Sequence, residues 1–182
     1  MKALAISRAT GLVQFKCTQS YYSLAGRELE REMFPLLADQ GLGLLVWSPL
    51  AGGFLPGKFT RTKAEKGVRR TDFDFPPIDK NKAFDIIDVM QRMAGGHGAT
   101  VPQVALAWLL AQERVTSVII GARTLDQLED NLKSIELSFG ADDLNALDAV
   151  SRLLPEYPAW MNALPSDRLP GEERRLERRP SS

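Results

Sequence analysis

The sequence predicts an α/β fold of about three parallel βα units, and three observations predict it. Three short runs, 13–19, 44–47 and 117–120, are apolar, β-branched or strictly alternating and read as strands. Stretches with helical periodicity fill the space between them, the spacing expected of parallel strands joined by right-handed crossovers. The last two runs each lead into a glycine-containing turn. Parallel strands need both faces covered, so three of them with five or six helices fit either a small layered domain or three-eighths of a (β/α)8 barrel.

In chain order, Lys2 to Thr10 carries small and apolar residues at helical spacing, and Gly11 is placed to end that helix. A chain that opens inside a helix without a cap reads as the middle of a larger unit. Val13 to Gln19 alternates, which puts Val13, Phe15 and Cys17 on one face of a strand that Gln19 closes. After a loop over Ser20 to Gly26, an amphipathic helix is expected from Glu28 to Gln40, with Leu29, Met33, Leu36 and Leu37 inward. Gly41 and Gly43 bracket its end, and Leu44 to Trp47 is a second, buried strand. Ser48 to Lys58 holds two prolines and three glycines, a backbone free to adopt positive φ and to approach a ligand. Thr60 to Lys82 continues as a long charged loop containing Arg69, Arg70, Phe73 and Phe75.

Ala83 to Ala94 is the next helix, with Phe84, Ile87, Met90 and Met93 inward and Gly95 and Gly96 as its stop. Thr100 and Gln103 form a capping box, and Val104 to Gln112 is apolar nearly all round and therefore buried. The third strand, Ser117 to Ile120, is a buried run ending on Gly121. Thr124 and Gln127 form a second capping box, opening a helix with Leu125, Leu128 and Leu132 along one apolar face. The first N–H groups of that helix have no partner within it, and Arg123 stands immediately before the cap. Such an end attracts an anion, and a guanidinium adds a bidentate cationic donor, so a phosphate is the natural guest. Gln127, Asp130 and Asn131 lie three and four residues apart, where they could read the edge of an attached base. An ordinary capped βα unit has the same local pattern. A last helix, Asp142 to Leu153, turns Leu144, Leu147 and Val150 inward, and the tail 162–182 is proline and charge without periodicity and is expected to be disordered.

Lys plus Arg and Asp plus Glu both number 23 in 182 residues, so no net field favours nucleic acid or an anionic membrane. A single cysteine excludes an intrachain disulfide and fits a reducing compartment. No run approaches the roughly 20 apolar residues of a membrane helix, and a cytoplasmic protein without a metal site is expected.

The turns W-S-P-L-A-G-G-F-L-P-G-K and G-A-R-T-L-D-Q-L-E-D-N, in that order and spacing, resemble the cofactor-binding motifs of the aldo-keto reductases. Gln19 in Q-S-Y-Y-S-L, the A-L-A-W-L-L helix and the terminal Y-P-A-W-M extend the resemblance over residues 1–161, toward the potassium-channel β-subunit and bacterial oxidoreductase branches. It implies the C-terminal part of a (β/α)8 TIM barrel that binds NADP(H) and reduces aldehydes or ketones. By the same resemblance Gln19 holds the nicotinamide carboxamide and Trp47 stacks on its ring. Ser48, Pro49, Leu50, Ala51 and Gly52 line the pyrophosphate, Lys58 reaches it, and Arg70 closes over the cofactor. Gly121, Arg123, Gln127, Asp130 and Asn131 hold the 2′-phosphate and adenine, with Asp130 standing where glutamate is more usual. An arginine rather than a carboxylate near the ribose favours NADP over NAD.

The family's catalytic Tyr, Lys, Asp and His come from the first half of its barrel and have no match here. Tyr21 and Tyr22 belong to the strand-end motif and are expected to line a pocket or pack, and His97 reads as a solvated turn residue. No catalytic residue is therefore assigned, and the chain is expected to be the C-terminal half of such a reductase, arising from truncation, a split gene or a mis-called start, with an incomplete barrel and no activity alone. The other reading is a regulatory module that binds NADP without chemistry, completed by a separate N-terminal half.

Overall fold

The computed structural model describes residues 1–57 and 74–162. Its first compact unit spans Met1–Arg152 and holds a three-stranded parallel sheet in the order β1-β2-β3. The chain opens with α1 (Lys2–Thr10), which ends where Gly11 takes a left-handed φ of 69°. Strand β1 is Cys17–Tyr21, four residues later than the alternation of 13–19 suggests, and Gln19 is its middle rather than its end. Val13 and Phe15 are exposed, and no strand among the described residues pairs with them. Strand β2 (Gly43–Trp47) supplies partners only from Cys17↔Gly43 to Tyr21↔Trp47.

The expected helix over 28–40 is divided into a 3-10 turn, Glu28–Glu30, and α2 (Met33–Gln40). Pro35 explains the break. It lacks an N–H and is tolerated only in a first helical turn, so the helix must restart shortly before it. Helix α3 is longer than expected, Lys80–His97, because Asp79 caps it by accepting from the N–H groups of Asn81 and Lys82 at 2.9 and 3.1 Å. Gly95 and Gly96 sit exposed within it at a propensity cost of about 1 kcal/mol each. The stop falls instead on Gly98, whose φ of 62° a side chain resists.

Helix α4 (Val101–Leu110) carries the expected capping box and is buried from Gln103 to Leu109. Strand β3 is only Ser117–Val118, and the expected buried run is half-exposed, with Ile119 42% accessible. Its one partner among the described residues is β2, through Leu45↔Ser117 and Val46↔Val118, so its other side is an edge. Helix α5 (Leu125–Leu132) is followed by a 3-10 turn, Lys133–Glu136, and then by α6 (Ala141–Ser151), which buries Leu147. In the second unit, Leu153–Ser182, a four-residue helix α7 spans Ala159–Asn162, with Trp160 meeting Tyr157 edge to face.

The core of the first unit lies between Leu44 and Val46 of β2, Ile86 and Met90 of α3, and Val104, Trp108 and Leu109 of α4. A charge cluster gathers around the buried Arg27. Arg27 is 8% exposed, pairs with Glu30 at 2.7 Å and Asp148 at 2.8 Å, donates to Ser151 Oγ, and lies over the Trp108 ring. Tyr22, fully buried, donates its hydroxyl to Glu30 at 2.6 Å and packs against Phe34 and Trp108. Among the described residues no helix is long and apolar enough to cross a membrane, and no cluster of metal-ligating side chains occurs.

Candidate functional site

Because the strands are parallel, the turns after β2 and β3 leave from the same end of the sheet, and they converge. Leu50, Gly52, Gly53 and Pro56 from the first turn face Gly121, Ala122, Arg123, Gln127, Asp130 and Asn131 from the second across a cavity of about 640 Å³. Thr100 and Pro102, from the first turn of α4, complete the wall.

The turn after β2 is tightly wound. Ser48 and Ala51 have positive φ, 53° and 50°, followed by Gly52 at 65° and Gly53 at 87°. Left-handed backbone costs a non-glycine residue about 1–2 kcal/mol, and such strain concentrates at ligand-binding turns. Local bonds hold it: the Ala51 N–H donates to the Ser48 carbonyl and the Gly52 N–H to Ser48 Oγ, both at 2.9 Å. Pro49 and Ala51 are buried beneath the turn. Of the five residues expected to line a pyrophosphate, Leu50 and Gly52 border the cavity, while Ser48, Pro49 and Ala51 build the turn behind them.

The opening of α5 departs from a reciprocal capping box. Thr124 Oγ1 accepts from the Gln127 N–H at 3.3 Å, but Gln127 Oε1 accepts from the N–H of Arg123, not of Thr124, at 3.0 Å. The amide therefore fastens the residue that carries the cation. Asp130, expected to read a base, is engaged elsewhere. Its Oδ1 accepts from Gln103 Nε2 at 2.8 Å and its Oδ2 from Thr100 Oγ1 at 2.9 Å. Asn131 is different. It is 7% exposed, borders the cavity, and has no hydrogen bond to its carboxamide among the described residues. A buried amide without a partner costs about 1–3 kcal/mol, so the site is suited to a ligand with a matching donor and acceptor. The face carrying Leu125, Leu128 and Leu132 is not core: these are 68, 38 and 50% exposed.

Gln19 and Trp47 lie on neighbouring strands and do not border this cavity. Trp47 ends β2 in aromatic company, with Tyr21 at 5.3 Å and Phe75 stacked nearly parallel at 5.7 Å. Gly26 makes room for Tyr21, whose ring would collide with any Cβ there. Tyr21 also borders a cavity of about 420 Å³ with Leu29, Arg31 and Met33. Lys58 and Arg70 lie outside the described residues, as do Phe73 and the tail from residue 163. His97 is no turn residue. It ends α3 and meets Asp143 Oδ2 at 3.0 Å. Sequence reasoning missed Thr100 and Gln103 as parts of the site. Their capping box was legible, but only the packing of α4 beside α5 brings it to Asp130.

Residues 2–152 match the model of the aldo/keto reductase family. The chain is 34% identical over 165 residues to the uncharacterized oxidoreductase YrpG of Bacillus subtilis, covering 88% of this chain and 49% of that protein. It is 29% identical to the NADH-specific methylglyoxal reductase of Escherichia coli, over 75% of this chain and 42% of the relative. It is also 31% identical to a probable voltage-gated potassium channel subunit beta of Arabidopsis thaliana, over 64% and 37%. The chain thus spans about half, or less, of the length of these relatives.

Proposed function

We propose, starting from the fact that the chain belongs to the aldo/keto reductase family, that the 640 Å³ cavity holds the adenosine end of NADP(H) in a carbonyl-reducing oxidoreductase. The family is one of oxidoreductases that use nicotinamide cofactors and carbonyl substrates, and its barrel is represented here by three parallel strands. The observation that carries the proposal is the buried, unpartnered Asn131 carboxamide, which shares the cavity with Arg123 and with the glycine turn after β2. Asn131 is matched to the donor and acceptor edge of adenine, and Arg123 to a 2′-phosphate. Leu50 and Gly52 offer a close backbone approach to the pyrophosphate. Gln19, in the middle of β1, and Trp47, at the end of β2, serve the nicotinamide, and Lys58 and Arg70 add charge. When bound, the cofactor supplies a hydride to the carbonyl carbon of an aldehyde or ketone.

This chain has no match to the family's catalytic Tyr, Lys, Asp and His, and a positioned general acid is worth roughly 10²- to 10⁴-fold in rate. We therefore assign it cofactor binding without turnover of its own. The exposed Leu125, Leu128 and Leu132 of α5 and the open edge of β3 favour a second reading, a cofactor-binding or regulatory module completed by a separate N-terminal half.

Titration of the chain with NADPH, followed by tryptophan fluorescence, tests the site. Saturable quenching is expected, and Arg123→Ala should weaken NADPH by about 1.5–3 kcal/mol while sparing NADH. Equal loss for both cofactors would put the 2′-phosphate elsewhere. Robust oxidation of NADPH by the chain with aldehydes would overturn the assignment of binding without turnover.

A further inference from the structure

The E. coli relative is named for NADH, whereas Arg123 argues for NADPH, and one cavity contains both the cation and a carboxylate. A carboxylate near the adenosine ribose accepts hydrogen bonds from a free 2′-hydroxyl and repels a 2′-phosphate. Asp130 is the carboxylate that borders this cavity, and its oxygens are held by Thr100 and Gln103 at the start of α4. Gln103 Nε2 donates to Asp130 Oδ1 at 2.8 Å and to the Asp130 backbone carbonyl at 3.0 Å. Thr100 Oγ1 donates to Asp130 Oδ2 at 2.9 Å. The two donors are themselves locked together, because the Thr100 N–H donates to Gln103 Oε1 and the Gln103 N–H to Thr100 Oγ1. Gln103 is 7% exposed, so this bracing is shielded from competition by water. A capping box needs only the inner pair of bonds; the three outward ones to Asp130 are additional.

We propose that Thr100 and Gln103 set the cofactor preference of the site by tethering the Asp130 carboxylate to α4, so that Arg123 rather than Asp130 governs what the ribose may carry. This rests on the nucleotide reading above and names what decides between its two cofactors. Both are positioning residues acting through Asp130. Gln103 suits the task because its amide presents donors to the carboxylate and an acceptor to the Thr100 N–H at once. A glutamate there would offer no donor and would add a second negative charge.

The test is the ratio of dissociation constants for NADH and NADPH, measured on the whole chain by fluorescence and calorimetry. Gln103→Leu keeps the volume and removes the donors. It should weaken NADPH about tenfold, the effect of losing one hydrogen bond to a charged group, while NADH is unchanged or tighter. Adding Asp130→Asn to that variant should restore the preference for NADPH, since the freed group then carries no charge. Thr100→Ala frees a single oxygen and should shift the ratio in the same direction by a smaller factor, while Thr100→Ser retains it. If Gln103→Leu does not fold, the Thr100 pair decides. Equal weakening of both cofactors by the substitutions, or a ratio they leave unmoved while the wild-type chain binds nucleotide, overturns the tether alone. Failure of the wild-type chain to bind either cofactor overturns the nucleotide reading and the tether with it.

Discussion

Helices α4 and α5 open with the same signature, Thr100–Gln103 and Thr124–Gln127, and come to opposite ends. In α4 both halves of the box close, and every residue from Gln103 to Leu109 is buried. In α5 the glutamine reaches past the cap to the Arg123 N–H, Leu125, Leu128 and Leu132 stay exposed, and one side chain, Asn131, is buried without a partner among the described residues. One helix is committed to the core and braces its neighbour; the other presents its polar edge to a cavity. A cap thus specifies where a helix begins, while the company it keeps decides whether it serves stability or binding.

The largest expected contrast is in the side chains beyond the caps. Leu109→Ala should cost about 2–5 kcal/mol in urea denaturation, the range for emptying a packed leucine site. Leu125→Ala on the exposed face should fall within about 0.5 kcal/mol. A cost above about 2 kcal/mol at Leu125 would break the comparison, since that face would then be covered in solution. The caps themselves should differ less. Thr100→Ala loses a cap and the bond to Asp130 and should cost about 1–2 kcal/mol, against about 0.5–1 kcal/mol for Thr124→Ala. Equal costs would mean that the contact with Asp130 adds nothing to stability.

A smaller effect sharpens the α4 side. Burial, and then the bond to Glu30, raises the pKa of the Tyr22 hydroxyl above its ordinary value. The folded protein therefore keeps a proton that the unfolded chain releases near pH 10. Stability from this group is complete below that pH and declines above it, by about 1 kcal/mol at pH 10.5. Tyr22→Phe should flatten that decline in urea midpoints measured between pH 8 and 10.5; an unaltered slope would assign the loss to other groups.

Much of this was legible along the chain because it is local. The ends of α1 at Gly11 and α2 at Gly41, the Thr100 box, and the strand at Leu44 to Trp47 all follow from φ preference, side-chain reach or an unbroken apolar run. The glycine turn after Trp47 and the Arg123 turn could be singled out for the same reason. Errors arose where a residue's role depends on a partner distant in sequence. Val13 and Phe15 alternate like a strand but pair with no strand among the described residues, and Ile119 is exposed just past a strand that has one partner among them. Pro35 is the exception, a local signal strong enough to divide a helix that periodicity alone would join.

By itself, then, the sequence determined the parallel α/β class, the helix stops and the two ligand-like turns, because backbone sterics and capping act over three or four residues. Only the tertiary structure decided that those turns share one cavity, that Asn131 has no partner among the described residues, and that Asp130 is bonded to Gln103 and Thr100. Those outcomes depend on where α4 crosses α5, and that crossing is set by core packing between residues some 27 positions apart, as from Gln103 to Asp130, a separation over which no local preference acts.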